Sequence, residues 1–410
     1  MGLPYADVDS QRDGTCRRAC VVVGLCAAVM MMCSWRGQGR AAEWSFEPLV
    51  SVKGEYNSNL LLFNGNNEVW GHWESPTMKF KGSTESLEVQ GSMKGDFVQY
   101  YGDQNRSLTN LYFPLRTSYQ WDRYTFGFDG GFTRDNTLMG ELRQTGVVLS
   151  FTQRNLWTAN PTLTIGLTER LNWQAGYQFS DARYENGLSL GLVNYQVNGG
   201  TSTASYELTE RDQLQFTGEY VIFQATQINQ RWTYYGVGAS ASHSFTESLT
   251  GTVSGGPRFI TTTQNISSGT LGDHTTAWLF SGKLKQAFEQ TTVMLEGSRQ
   301  INPSGFGRLL QTDRIGGIVS HNLTETVTLS LEGATYFVTG LASTPQTTSF
   351  PQTRFTSVSP KISWKLGDWW TLDVAYSYAE RAVGSLNQWN FANSTYVMLT
   401  YGGAKWSVSR

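Results

Sequence analysis

The chain has 410 residues and a formal net charge of −2 at pH 7; 39% of its residues are hydrophobic, 13% aromatic and 16% charged. The nearly neutral charge excludes proteins that bind nucleic acid through a basic surface. The low apolar content at this length excludes a soluble core built from continuous apolar strands or amphipathic helices.

Residues 1–42 differ in kind from the rest and predict a secretory signal peptide. A pair of arginines precedes an apolar run over 19–33, and the small residues Gly39 and Ala41 follow at cleavage-site spacing. The alternative is a single membrane anchor, which the shortness of the apolar run disfavours. Cleavage leaves residues 43–410, which we expect to form one domain.

The cysteines add a constraint, because all of them lie in the predicted signal peptide. They are Cys16, Cys20, Cys26 and Cys33. The cleaved chain therefore contains no thiol, which excludes disulfides, thiolate metal sites and cysteine nucleophiles.

Residues 84–97 alternate between small or apolar and polar side chains, as a β-strand with two unlike faces does. One set is Leu87, Val89, Gly91, Met93, Gly95 and Phe97, and the other is Ser86, Glu88, Gln90, Ser92, Lys94 and Asp96. The same alternation recurs in most later segments. A repeated strand with one apolar and one hydrated face is typical of a transmembrane β-barrel.

A short turn phrase repeats along the chain and divides it into strand pairs. Leu167-Thr168-Glu169-Arg170 returns as Leu208-Thr209-Glu210-Arg211, with close variants at 245–248 and 323–326. The spacing also fits a propeller blade, but each interval holds only two strands. The pattern predicts eighteen strands: 45–57, 71–81, 84–99, 108–120, 123–134, 157–167, 171–182, 194–208, 213–224, 232–246, 249–261, 275–288, 291–302, 310–323, 326–338, 352–366, 369–381 and 393–409.

The apolar segment 143–152 is not counted as a strand, because an odd number would separate the two chain ends. We place it in a long outer loop, 135–156, that folds into the lumen. The alternative is that it extends a neighbouring strand above the membrane.

The predicted fold is an all-β, antiparallel, up-and-down barrel of about eighteen strands, with sixteen also compatible, short periplasmic turns and long outer loops. Its outward faces carry few charges and many aromatic residues near strand ends, where aromatic rings favour the membrane interface. Outer-membrane lipid is therefore the expected partner. A soluble β-sandwich with one hydrated face is the alternative fold.

The hydrated faces collect charged residues of both signs, which we predict to line a hydrated conduit and to tune solute passage. The alternative is that they neutralise one another inside a plugged barrel. The candidates are Glu88, Lys94, Asp96, Asp129, Glu219, Lys283, Lys285, Glu296, Glu332, Lys361 and Asp373, with Lys365 and Arg381 on the same faces.

No motif predicts an enzyme, a cofactor or a metal site. Of the four histidines, His243 and His321 occupy equivalent places in two turn repeats. The repetition favours polar interface residues beside periplasmic turns over members of a catalytic triad.

The stretch 156–258 resembles the outer-membrane β-barrel proteins encoded with exopolysaccharide and PEP-CTERM sorting systems. Its matching phrases are Leu156-Trp157-Thr158-Ala159-Asn160-Pro161, Leu167-Thr168-Glu169-Arg170-Leu171-Asn172-Trp173, Tyr177-Gln178-Phe179-Ser180 and His243-Ser244-Phe245-Thr246-Glu247. The resemblance implies an outer-membrane location and a part in polysaccharide export, with polysaccharide and periplasmic export components as partners. It offers no catalytic residues.

The expected function is therefore an outer-membrane channel for hydrophilic solutes, linked to exopolysaccharide export. A general diffusion porin, a structural or plugged barrel and an outer-membrane hydrolase remain as alternatives. The chain departs from the usual barrel ending, because it lacks a terminal aromatic residue; either Trp406 takes that role or the last strand is shifted.

Overall fold

A computed structural model describes residues 43–64, 67–102, 105–137, 151–266, 269–341, 351–384 and 388–409. The predicted signal peptide, 1–42, lies outside the described residues, as does the central part, 138–150, of the predicted loop 135–156. Among the described residues, no helix is long and apolar enough to cross a bilayer.

The described chain forms one antiparallel sheet in which strands adjacent in sequence pair with each other, except that the last two strands both pair with the first. The strands are Glu43–Asn57 (β1), Val69–Ser83 (β2), Leu87–Gly102 (β3), Arg106–Trp121 (β4), Tyr124–Asn136 (β5), Gln153–Gly166 (β6), Leu171–Tyr184 (β7), Tyr195–Glu207 (β8), Asp212–Ala225 (β9), Gln230–Ser244 (β10), Leu249–Ile266 (β11), Gly269–Ala287 (β12), Thr291–Pro303 (β13), Leu309–Asn322 (β14), Val327–Gly340 (β15), Thr353–Lys365 (β16), Trp370–Val383 (β17), Gln388–Gly402 (β18) and Trp406–Ser409 (β19).

The sheet closes on itself between its first and last strands. β1 pairs with β18 from Leu49↔Gly402 to Asn57↔Ser394, and then with β19 from Glu43↔Ser409 to Phe46↔Trp406. Closure pairs most backbone N–H and C=O groups of the strands within the ladder. In the described part of the chain, residues 269–279 of β12 pair only with β11, and β19 pairs only with β1. The predicted barrel of eighteen strands is confirmed, because β18 and β19 lie one after the other along β1 and together form the eighteenth strand.

The predicted last strand, 393–409, is wrong in one respect. The register changes by one residue between β18 and β19, where Gly403 donates its N–H to the carbonyl of Pro48 at 2.8 Å. One extra residue on one strand is a β-bulge, which the alternation pattern alone does not reveal. Beyond the bulge, Trp406 lies on the outer face and is 61% exposed.

The repeated turn phrase has a local physical cause. In three of the four phrases the threonine hydroxyl oxygen accepts the N–H of the residue three positions later, at 3.0 Å for Thr168, Thr246 and Thr324 alike. In the fourth, the Thr209 hydroxyl oxygen accepts the N–H of Arg211 at 3.1 Å. Such a hydroxyl satisfies turn backbone and starts the next strand. We name the end of the barrel with these turns and both ends of the described chain the turn rim, and the opposite end the loop rim.

The connections at the loop rim vary in length. Four are long, spanning 58–68, 137–152, 185–194 and 341–352, whereas the others span 103–105, 226–229, 267–268, 304–308 and 384–387. Short periplasmic turns and longer outer loops are the usual arrangement of bacterial barrels, so the turn rim is the periplasmic side.

The outer face of the barrel is apolar and exposed. Ile315, Trp278 and Val253 are 69%, 64% and 63% exposed, and comparable side chains alternate along every long strand. Several ionisable groups on this face form pairs near the strand ends, such as Arg299 with Asp313 toward the loop rim and His243 with Asp212 at the turn rim, both at 2.6 Å. A closed barrel surrounded by apolar side chains is the form of a bacterial outer-membrane protein, with lipid around it.

The two faces respond differently to the same charge, which gives a test of this orientation. Val253→Arg is expected to lower the free energy of unfolding in lipid vesicles by about 2–4 kcal/mol, because it places a charge in hydrocarbon. Ser254→Arg, the neighbouring position on the inner face, is expected to lower it by less than about 1 kcal/mol. Urea titration of both refolded variants measures the difference, and equal losses would contradict the assigned faces.

Candidate solute pathway through the barrel

The inner face is traced by following one alternate set of residues from strand to strand. Glu88 lies opposite Ser118, Asp129 opposite Arg116, and Lys283 opposite Glu296. The register places every predicted charged residue on this inner face, at Glu88, Lys94, Asp96, Asp129, Glu219, Lys283, Lys285, Glu296, Glu332, Lys361, Lys365, Asp373 and Arg381. Their contacts divide them into distinct groups.

Ion pairs neutralise the arc of inner wall formed by β1–β5. The pairs are Lys53–Glu55 at 2.7 Å, Lys81–Glu88 at 2.8 Å, Lys94–Asp96 at 3.0 Å and Arg116–Asp129 at 2.5 Å. Asp96 is 2% exposed and also accepts the hydroxyl of Ser75 at 2.6 Å. A buried carboxylate with both a cation and a hydroxyl donor has its charge satisfied locally.

Aromatic side chains enclose the deepest of these pairs. The Lys53 ammonium lies 3.6 Å from the centre of the Trp73 ring and 5.4 Å from that of Tyr396. Trp73 is 7% exposed and faces inward. Cation–π contacts of this kind stabilise a lysine that has lost water. The sequence pattern, which assigned most aromatic residues to the lipid face, missed this inward group.

Two predicted carboxylates pair with arginines that the sequence pattern did not single out. Glu219 pairs with Arg258, and Glu296 pairs with Arg314. Both arginines occupy inward positions of their strands, so the alternation would have identified them if it had been continued along β11 and β14.

A second arc of inner wall, on β12–β16, carries charges without partners. Five side chains make no hydrogen bond or ion pair with any described residue, namely those of Lys283, Lys285, Lys361, Lys365 and Glu332. Lys361 is partly exposed, and the other four are exposed. Unpaired exposed charges require water around them. The wall is therefore hydrated here and carries a positive excess, unlike the neutral arc on β1–β5.

Two further predicted residues, in addition to Asp96, are buried on the inner face. Asp373 is 9% exposed and lies opposite Ser363 and Met398, and Arg381 is 3% exposed. The ring centre of Phe63, from the loop 58–68, lies 5.2 Å from the Arg381 guanidinium carbon. This loop therefore turns into the barrel, and Leu60 and Leu62 of the same loop pack among inward side chains.

An apolar cluster, here named the lumen cap, fills part of the interior near the loop rim. It consists of Ala182, Tyr184, Leu192, Tyr195, Val197, Val221, Phe223, Trp232, Ile260, Ala277, Leu309 and Leu341. Its members come from strands that are far apart in the sheet, so only the inside of a closed sheet brings them together. Trp232 and Phe223 are 0% exposed.

Two loops hold the lumen cap in place. The N–H of Val193, in loop 185–194, donates to the carbonyl of Gly305, in loop 304–308, at 2.7 Å. Gly307 has a φ of 72°, and a Cβ on it would come within 2.4 Å of Ile228 and 2.9 Å of Val193. Glycine is therefore required both by its backbone and by the close approach of the two loops.

A cavity of about 470 Å³ lies beside the lumen cap. Its walls come from β6–β8 on one side and β13–β15 on the other, and Tyr195 belongs to both the cap and the cavity. A second cavity, of about 520 Å³, lies near the turn rim beside Lys79, Lys81 and Arg116. The interior thus changes from a hydrated, charged wall near the turn rim to an apolar constriction near the loop rim.

The histidines do not form an active site. All four lie on the outer face, and His243 and His321 sit at the turn-rim ends of β10 and β14. His243 pairs with Asp212 at 2.6 Å, but no described serine completes a triad with them. Within the described ranges there is also no cluster of three or more His, Cys, Asp or Glu residues able to hold a metal ion.

The positive arc on β12–β16 predicts a preference for anions. Replacing Lys283 and Lys285 together by glutamine is expected to shift the reversal potential toward cation selectivity, because it removes two exposed, unpaired charges from the wall. The measurement is the zero-current potential across a planar bilayer in a salt gradient. The control, Lys81→Gln with Glu88→Gln, removes a neutralised pair and should leave the potential unchanged. If the reversal potential of the lysine variant is unchanged, neither lysine lines the conducting path.

Comparison with known proteins gives only distant similarity. No protein-family model matches the chain, and no curated protein matches its sequence. Among solved structures, OccAB3 of Acinetobacter baumannii is 8% identical over 88% of this chain and 99% of its own, with a TM-score of 0.45. OccAB1 of the same species is 9% identical over 89% and 96%, with a TM-score of 0.47. The outer membrane protein opdK from Pseudomonas aeruginosa is 10% identical over 88% and 99%, with a TM-score of 0.44. At these values the similarity does not extend to a site or a solute.

Proposed function

We propose that this outer-membrane β-barrel is a channel for small hydrophilic solutes. The observation that carries the proposal is the hydrated inner wall on β12–β16, where exposed lysines and a glutamate have no protein partner within the described residues. A barrel with a structural role has no need of unpaired charges inside, because neutral side chains would fill the space at lower energy.

The lumen cap favours a channel for small solutes rather than a wide, unselective pore. Inward folding of the loops 58–68, 185–194 and 304–308 places buried apolar side chains across part of the interior near the loop rim. A constriction near one end limits the size of what passes, whereas the hydrated wall below it admits ions and polar solutes.

We also propose that the channel serves an exopolysaccharide system, with saccharides as its solutes and periplasmic export components as partners. The support is the sequence resemblance of residues 156–258 to barrels encoded with such systems. The packed lumen cap favours short saccharides over a continuous polymer as the solute.

Conductance recordings test the channel directly. The purified protein in a planar bilayer is expected to conduct, and Trp232→Ala is expected to raise its single-channel conductance, because Trp232 is the largest fully buried side chain of the lumen cap. The control is Trp278→Ala, which removes the same side chain from the lipid face and should leave conductance unchanged. If neither the parent protein nor the Trp232 variant conducts, the barrel is plugged and the proposal is wrong.

Gene deletion tests the link to polysaccharide. Loss of the gene is expected to lower the amount of polysaccharide or its fragments outside the cell, and expression of the parent protein is expected to restore it. Colorimetric sugar analysis of the washed surface fraction and the medium measures both. If the deletion strain loses the conductance but its amount of surface and released saccharide is unchanged, the protein is a general porin and the proposed link to polysaccharide export is wrong.

A further inference from the structure

We propose that the 470 Å³ cavity beside the lumen cap is a binding site for neutral saccharide units. The inference names the solute class of the channel and therefore rests on the proposed function. This site is separate from the charged wall near the turn rim, because all but one of the side chains that line it are uncharged.

The first support is the position and size of the cavity. One wall is supplied by β6 and β7, through Thr158 and Ser180, and the facing wall by β13 and β14, through Ser298, Gln300 and Thr312. A volume of this size falls within the range of roughly 300–1,000 Å³ that ligand sites occupy. A solute that passes the hydrated wall therefore meets polar side chains on two sides before it reaches the lumen cap.

The second support is a set of hydrogen-bonding groups with no protein partner. In the part of the chain that the structure describes, the side chains of Thr158, Ser180, Ser298 and Gln300 make no hydrogen bond, and Gln300 is exposed to the lumen. Hydroxyls and an amide offer both donors and acceptors. This is the complement of a polyhydroxylated solute, whose own hydroxyls also donate and accept.

The third support is a pair of tyrosine rings fixed on opposite walls. Tyr195 packs against Phe223 with ring centres 5.3 Å apart, and Tyr336 packs against Phe355 at 5.9 Å. The Tyr336 hydroxyl accepts Arg314 Nε–H at 3.0 Å, which holds the ring in position. A rigid aromatic ring presents an apolar surface to the C–H face of a sugar at low entropic cost.

The charge of the lining selects neutral solutes. Arg314 is the one charged residue that lines this cavity within the described residues, and its guanidinium pairs with Glu296. A carboxylate solute would compete with Glu296 for the same cation, while the cavity offers no second positive group. Since an unpaired charge loses water when it enters such a site, a neutral saccharide is favoured.

Equilibrium binding to the full chain in detergent tests the site without relying on conductance. Maltose is the neutral probe, and maltobionate is its carboxylate counterpart. Titration calorimetry is expected to show saturable maltose binding that exceeds maltobionate binding. Gln300→Ala and Tyr336→Ala are each expected to weaken maltose binding by about tenfold, because a hydrogen-bonding group or a stacking surface is lost. Tyr336→Phe keeps the ring, so its affinity relative to Tyr336→Ala separates the contribution of the hydroxyl from that of the stacking surface.

The control is Gln215→Ala, which removes the same amide from the inner face of β9, outside the cavity lining. It should bind maltose as the parent protein does. Tighter binding of maltobionate, no saturable maltose binding, or parent-like affinity in both Gln300→Ala and Tyr336→Ala would overturn the site. Maltose binding without conductance would support the site and refute the channel, whereas conductance without maltose binding would do the reverse.

Discussion

The structure depends on the pairing of backbone polar groups in a medium that offers no water. In hydrocarbon, each unpaired N–H or C=O is unfavourable by several kcal/mol, so a spanning sheet must close. Closure here is made by β1 with β18, and again with β19 beyond the bulge at Gly403. Every other feature, including the existence of an inside, follows from this closed ladder.

Closure gives the two faces of each strand opposite requirements. The outer face meets lipid, so it is predominantly apolar, with pairs of ionisable side chains near the strand ends. The inner face does not meet lipid, and its side-chain chemistry changes from the turn rim to the loop rim. Unpaired lysines lie near the turn rim, neutral hydroxyl and amide groups lie higher, and the lumen cap lies nearest the loop rim. The lumen therefore contains three successive chemical environments between the turn rim and the loop rim.

The charged residues show what side-chain alternation predicts and what it does not: it predicts the face on which a residue lies but not its ion-pair partner. It assigns Lys283 and Glu296 to the same face, and the register places them directly opposite one another. Nevertheless Glu296 pairs with Arg314 of the next strand, and Lys283 remains without a protein partner among the described residues. Which neighbour a side chain reaches depends on strand twist and rotamer, and these properties are not encoded in a period of two residues.

The all-β class, the eighteen strands, the turns and the inward position of the charged candidates could be predicted from the amino-acid sequence, because alternation and turn chemistry are local properties. The sequence pattern did not reveal which charges are paired, that the loops 58–68, 185–194 and 304–308 turn inward, or that Trp232 and Tyr195 are buried inside. These contacts join residues from distant strands, and such strands become neighbours only when the sheet has closed around a common interior.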